Sequence, residues 1–176
     1  IVYGVMRTTR SLDYVLAQLT SSTFADKTPE RTLCALRVGA YELLHLSTPD
    51  FAAVSEAVSL VGPQKGQRSF ANGVLRTLAR RRDELPPPAA DAALSPLEAL
   101  AIETSTPEAL LQDLSRGDDA GGVALLPSFD ELEAWARASQ QRPPLALRVN
   151  RQRASRAHVL AQLRAKGLTA TEVDGV

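Results

Sequence analysis

Asn72, Arg76 and Arg80 recur at every fourth position of the stretch 66–82. At 3.6 residues per turn that spacing draws one polar row along a helix. Phe70, Ala71, Val74, Leu75 and Leu78 fall together on a broad apolar side of the same helix. Arg81 and Arg82 carry the positive charge past the last apolar turn. A helix with an apolar stripe for a core and a cationic ridge for solvent is suited to holding a phosphate backbone. A plain solvated basic face has the same spacing and stays open as the other reading.

Other chemistries find little support. No glycine-rich fingerprint follows a strand and opens a helix, so no dinucleotide, phosphate or S-adenosylmethionine cradle is visible. The one glycine-rich run, Arg116 to Gly122, reads as a polar loop between helices. With a single cysteine and two distant histidines, His45 and His158, no metal site is expected. His45 sits near a helix end, where an interaction with the helix dipole is expected. Cys34, between Leu33 and Ala35, reads as a small buried apolar residue rather than a nucleophile. No catalytic residue is assigned.

The chain has 176 residues, of which 44% are hydrophobic, enough for a buried core in one or two domains. No apolar run reaches the roughly 20 residues of a membrane helix, and no signal-peptide pattern is present. A lone cysteine fits a reducing cytoplasm. The zero net charge conceals three blocks. Residues 1–82 carry 11 basic and 6 acidic residues, 83–141 carry 2 and 12, and 142–176 carry 7 and 2. Two cationic ends flanking an anionic middle suggest that the ends meet a polyanion. The chain begins at Ile1 and ends at Val176 without a cap or tail, and is expected to be part of a longer protein.

The elements that position these residues follow from periodicity and punctuation. Val2 to Leu19 reads as one helix with Leu12, Val15, Leu16 and Leu19 inward and Arg7 and Arg10 opposite. Thr28, as N-cap, and Pro29 start a second helix with Leu33, Leu36, Ala40, Leu43 and Leu44 inward and Arg31 and Glu42 outward. Asp50 caps a short, almost wholly apolar helix over 51–61, expected at the centre, which Gly62-Pro63 ends. The 66–82 helix follows and Pro86-Pro87-Pro88 closes an all-α unit. Ser95 with Glu98 forms a capping box, Thr106-Pro107-Glu108 starts another helix, and 128–140 is helical with Leu132, Trp135 and Ala136 on one face. After Pro143-Pro144, residues 145–150 read as a strand. Ser155 caps a helix with Val159, Leu160 and Leu163 inward, Gly167 ends it, and 168–173 reads as a second strand.

Five segments carry a resemblance. Val2-Tyr3-Gly4-Val5-Met6-Arg7 is similar to "VYGTLR", and 36–44 to "LRLGLYQLL". Ala53-Val54-Ser55-Glu56-Ala57-Val58 and Phe70-Ala71-Asn72-Gly73-Val74-Leu75-Arg76 resemble the "AVNEAV" and "FVNAVLR" signatures of NusB-like domains. The segment 142–150 resembles the "PPLTLRVN" of the RsmB (Fmu/Sun) family of bacterial 16S ribosomal RNA cytosine-5 methyltransferases. Two positions depart from the pattern. Thr8 stands where the family commonly has Trp. Gly73 stands where it has Ala, at a cost of about 1 kcal/mol inside a helix that a close backbone approach would explain.

The resemblance implies a mainly α protein. A NusB-like helical RNA-binding bundle (1–85) comes first, then an acidic helical linker region (86–141). The start of a small strand-helix-strand α/β segment (142–176) follows, with the catalytic domain absent. It also implies small-subunit ribosomal RNA as partner, and S-adenosylmethionine held only in a domain downstream, by none of these residues. A cytoplasmic, monomeric protein without membrane contact is expected. The residues expected to touch RNA are Arg7, Arg10, Arg68, Asn72, Arg76, Arg80, Arg148, Asn150, Arg151 and Arg153. Asn150 has a second reading, as the residue that satisfies its own turn. A NusB-type antitermination or assembly module without enzymatic activity is the alternative function.

Overall fold

A computed structural model describes residues 1–20, 23–116, 124–141 and 145–172. The chain divides into two compact units, 1–141 and 142–176. The first contains α1 (Val2–Arg7), α2 (Thr9–Leu19), α3 (Phe24–Lys27), α4 (Glu30–His45), α5 (Asp50–Leu60) and α6 (Lys65–Arg81). A 3-10 turn (Pro88–Ala90), α7 (Pro96–Glu103), α8 (Glu108–Arg116) and α9 (Phe129–Ser139) complete it.

The main core lies among α1 to α6. Leu12 and Leu16 of α2, Leu36 and Ala40 of α4, Ala53 of α5, and Leu75 and Leu78 of α6 are fully buried. Apart from Ala53, these are residues that the helical spacing turns inward. α4 is the central helix, packed against α1, α2, α5 and α6. That position corrects two expectations. Glu42 is buried instead of outward, because α4 is covered on several sides. The apolar α5 is not central: it packs on α4 and α6 and leaves Phe51 and Leu60 exposed. At Gly39 a Cβ would stand 2.7 Å from Leu75 Cδ1 and 2.8 Å from the Ala57 Cβ. Only glycine lets α4 approach α5 and α6 this closely.

Helix boundaries depart from the sequence reading for local reasons. The expected single helix over 2–19 is two, broken at Thr8 (φ −111°, ψ 16°). Thr8 Oγ1 donates to the Gly4 carbonyl at 2.9 Å and Thr9 Oγ1 to the Val5 carbonyl at 2.8 Å. Adjacent threonine hydroxyls bonding back one turn bend a helix. The second expected helix (α4) starts one residue later than its expected cap, with Pro29 as N-cap, and the third (α5) one residue earlier, with Pro49 as N-cap and Asp50 as its first residue. Thr28 is extended (φ −88°, ψ 129°), as a residue before proline prefers. Phe70 is exposed, since it sits at the edge of the apolar stripe of α6. Nothing lies within 4 Å of a Cβ built on Gly73. The close approach invoked for that glycine is therefore not made, and nothing in the structure explains it.

In the acidic region, Ser95 and Glu98 form the capping box of α7, and Ser128 and Glu131 form another on α9. Leu100, Ala101, Leu111, Leu132 and Ala136 build a second small core. Most of the expected loop over 116–122 lies outside the described residues. The region is tied to α2: Ser11 N–H donates to Ser105 Oγ at 3.1 Å, and Tyr14 to Asp91 at 3.3 Å.

The second unit contains α10 (Arg156–Ala165), capped by Ser155, which accepts from His158 N–H. Gly167 (φ 76°) ends it, with Leu168 N–H reaching back to the Leu163 carbonyl at 3.1 Å. Among the described residues no strand occurs. The expected strand-helix-strand pattern is thus not formed over 145–150 and 168–172. A strand exists as one member of a hydrogen-bonded ladder, and these two segments make no backbone bonds to each other. Val173 lies outside the described residues. Val159, Leu160 and Leu163 are half-buried, and none of the described residues of this unit is fully buried.

Candidate nucleic-acid interface

Helices α5 and α6 are joined by a short connection, and Arg82, just after α6, meets Asp50 at the start of α5 (Nη1 to Oδ1, 2.9 Å). The pair is therefore antiparallel, and a groove of about 540 Å³ runs between its outer faces. Arg68, Asn72, Arg76 and Arg80 line it from α6; Phe51, Val54, Ser55 and Val58 line it from α5. The four α6 residues are spaced i, i+4, i+8, i+12, so the helix itself sets their alignment. Their backing is the buried stripe of Ala71, Val74, Leu75 and Leu78. Thr32, fully buried on α4, donates its hydroxyl to Gln67 Oε1 at 2.9 Å and so pins the first turn of α6 to the centre of the bundle.

The electrostatics of the groove follow from its one carboxylate. Asp50 lines it, but its Oδ1 accepts from Arg82, whose Nη1 also donates to the Leu43 carbonyl at 3.1 Å. Arg68, Arg76 and Arg80 are exposed, and among the described residues none of them makes an ion pair. Three uncompensated guanidinium groups in a row give a cationic cleft, each able to fork onto phosphate oxygens.

Of the other expected contacts in the first unit, Arg7 and Arg10 do not line this groove. Arg7 is exposed at the end of α1. Its charge, after the larger effect of burial, holds His45 below the ordinary imidazole pKa. The helix-dipole interaction expected for His45 would raise that pKa; the shift runs the other way. Arg10 donates to the Thr106 carbonyl at 3.1 Å and so helps to seat the acidic region on α2. In the second unit, Asn150 Oδ1 accepts from Gln152 N–H at 3.1 Å, and its carbonyl accepts from Arg153 and Ala154 N–H. Asn150 thus satisfies its own turn, on which Arg151 and Arg153 are exposed, with Arg148 exposed just before it. Cys34 is exposed, contrary to its expected burial, because it lies on the side of α4 opposite the buried Leu36 and Leu43 stripe.

The sequence reading missed Phe51 and the Asp50–Arg82 pair. A signal for the first was present. Seven of the eleven residues of α5 are apolar, more than one packed face can bury, so one apolar side had to be left outside. The pair joins residues 32 apart, on different helices, and has no local signature.

Residues 1–80 match the NusB family. Residues 125–176 match the ferredoxin-like domain of the RsmF/B-like methyltransferases. Over 99% of its length the chain is 34% identical to a probable ribosomal RNA small subunit methyltransferase B of Bacillus subtilis (strain 168), of which it covers 36%. It is 32% identical over 94% of its length to the ribosomal RNA small subunit methyltransferase B of Escherichia coli O1:K1, covering 35% of that protein. It is 34% identical over 92% of its length to that of Enterobacter sp. (strain 638), covering 34%. The chain thus spans about a third of the length of these relatives. No solved structure matches it.

Proposed function

We infer from a chain that carries a NusB-family domain and an RsmF/B-type ferredoxin-like segment that it is the RNA-recognition portion of a small-subunit ribosomal RNA (cytosine-5) methyltransferase. It acts as a monomer that grips the phosphate backbone, so that a catalytic unit outside these residues reaches its base. A base must leave its stack before an enzyme can work on it, which makes a separate grip on the strand useful.

The observation that carries this reading is the row Arg68, Arg76 and Arg80 along one groove whose single carboxylate is already held by Arg82. S-adenosylmethionine does not fit this groove. Its sulfonium is a cation, and three guanidinium groups line the cleft. No step of methyl transfer is therefore assigned to these residues. Arg148, Arg151 and Arg153 form a second cationic contact in the other unit in this reading. No helix among the described residues is long and apolar enough to cross a membrane.

The test is the affinity of the full chain for a fragment of small-subunit ribosomal RNA, by fluorescence anisotropy across a salt series. With Arg76→Ala and Arg80→Ala together, affinity is expected to fall at least ten-fold. The slope of log K against log salt is expected to become shallower by about 1.4, since each neutralised phosphate of a single strand contributes about 0.7. Unchanged affinity and slope would remove the α6 row from the contact surface.

A further inference from the structure

We propose that the groove between α5 and α6 takes an unpaired stretch of RNA, with one base stacked on the ring of Phe51 while Arg76 and Arg80 hold the phosphates beside it. The proposal rests on the RNA reading of the groove and names the form of RNA it accepts.

Phe51 is 80% exposed in the first turn of α5, although Val54, one turn on, is buried in the core. An aromatic ring left in water at this position gives the fold little. It stands at the end of the groove where α5 begins and α6 ends, which the Asp50–Arg82 contact fixes. Arg76, Ala79 and Arg80 line the groove from α6 with Phe51 opposite. A ring next to uncompensated guanidinium groups is the combination that binds single strands: cations follow the backbone, and the aromatic face takes a base. Phe offers no hydrogen bond, so it reads no sequence and accepts any base. In an A-form duplex every base face is already covered by its neighbours, and a protein meets only backbone and groove edges. A duplex therefore gains nothing from Phe51. An acidic peptide would satisfy the arginines but leaves the ring without a flat partner.

The test uses the full chain and three probes: an unstructured 12-nucleotide RNA, the same RNA annealed to its complement, and an abasic strand of equal length. Phe51→Ala is expected to raise Kd for the single strand about ten-fold. Kd for the duplex and the abasic strand should move by less than two-fold, and Phe51→Trp should restore single-strand binding. Phe51 is exposed, and an unchanged melting temperature verifies that the variants fold. Equal loss on all three probes, or no loss on any, overturns the stacking proposal. So does competition by a glutamate-rich peptide at the concentration at which the RNA competes. If Phe51→Ala has no effect while the Arg76, Arg80 double variant still weakens binding, stacking fails and the RNA reading stands. If neither variant matters, the RNA reading fails with it.

Discussion

Two arginine-bearing helices of the first unit are built alike and end in opposite states. On α6, Arg68, Arg76 and Arg80 face an open groove, and among the described residues none of them pairs with a carboxylate. On α9, Arg137 forks onto Glu103 of α7 at 2.9 and 3.1 Å and also reaches Glu133 at 2.8 Å. Hydrogen bonds to Glu103 first, and then to Glu133, raise its pKa further above the ordinary guanidinium range. Both helices bury an apolar stripe and expose a charged side. The neighbouring helix makes the difference. α7 offers a glutamate to α9, whereas the one acid α5 contributes to the groove is held by Arg82. Arg137 is thus compensated by glutamates of the acidic region itself. A row of cations becomes a binding surface only where no neighbour supplies an anion.

Removing the support of the α6 row has the largest expected effect. Leu75 is 0% exposed and sits against Gly39. Leu75→Ala is expected to cost about 3 kcal/mol, as buried leucine truncations do, read as a lower urea midpoint. With α6 loosened, the alignment of Arg68, Arg76 and Arg80 goes with it. Loss of less than about 1 kcal/mol would mean that α6 is not held through this stripe.

A smaller effect follows from giving the groove what α9 already has. Ser55 lines the groove from α5 and is exposed. Ser55→Glu places a carboxylate across from the α6 arginines and is expected to weaken RNA binding about ten-fold. Stability should stay within about 0.5 kcal/mol, because exposed pairs contribute little. RNA binding that survives this change would show that the open charge of the row is not what matters.

The smallest expected effect comes from taking the partner away from α9. Glu103→Gln leaves Arg137 with Glu133 alone and is expected to cost about 0.5 kcal/mol in thermal or urea unfolding, as for a solvent-exposed pair. RNA affinity should not change. A gain in RNA binding would show that Arg137, once released, joins the contact surface.

Much of the bundle is legible in the sequence. Leu12, Leu16, Leu36, Ala40, Leu75 and Leu78 announce their inward faces by helical spacing, and all are buried. Ser95 and Ser155 announce their helix starts, because capping is a contact over three residues. The alignment of Asn72, Arg76 and Arg80 is equally local. The break at Thr8 was less legible: two threonine hydroxyls compete with the backbone there, and apolar periodicity does not register them. The strands expected after residue 144 failed for a related reason. Alternation shows that a segment suits a ladder, but the ladder requires a second segment.

The amino-acid order alone determined where most of the longer helices form, which side of them is apolar, and that the arginines of α6 share one row. These follow from a 3.6-residue turn and from contacts within a few positions. Tertiary structure alone decided that α4, not α5, is central and that Glu42 is buried while Cys34 and Phe51 are not. It also decided that Arg82 takes Asp50 and leaves Arg68, Arg76 and Arg80 open. Each of those outcomes depends on which helix lies beside which, and on the distance between groups far apart along the chain.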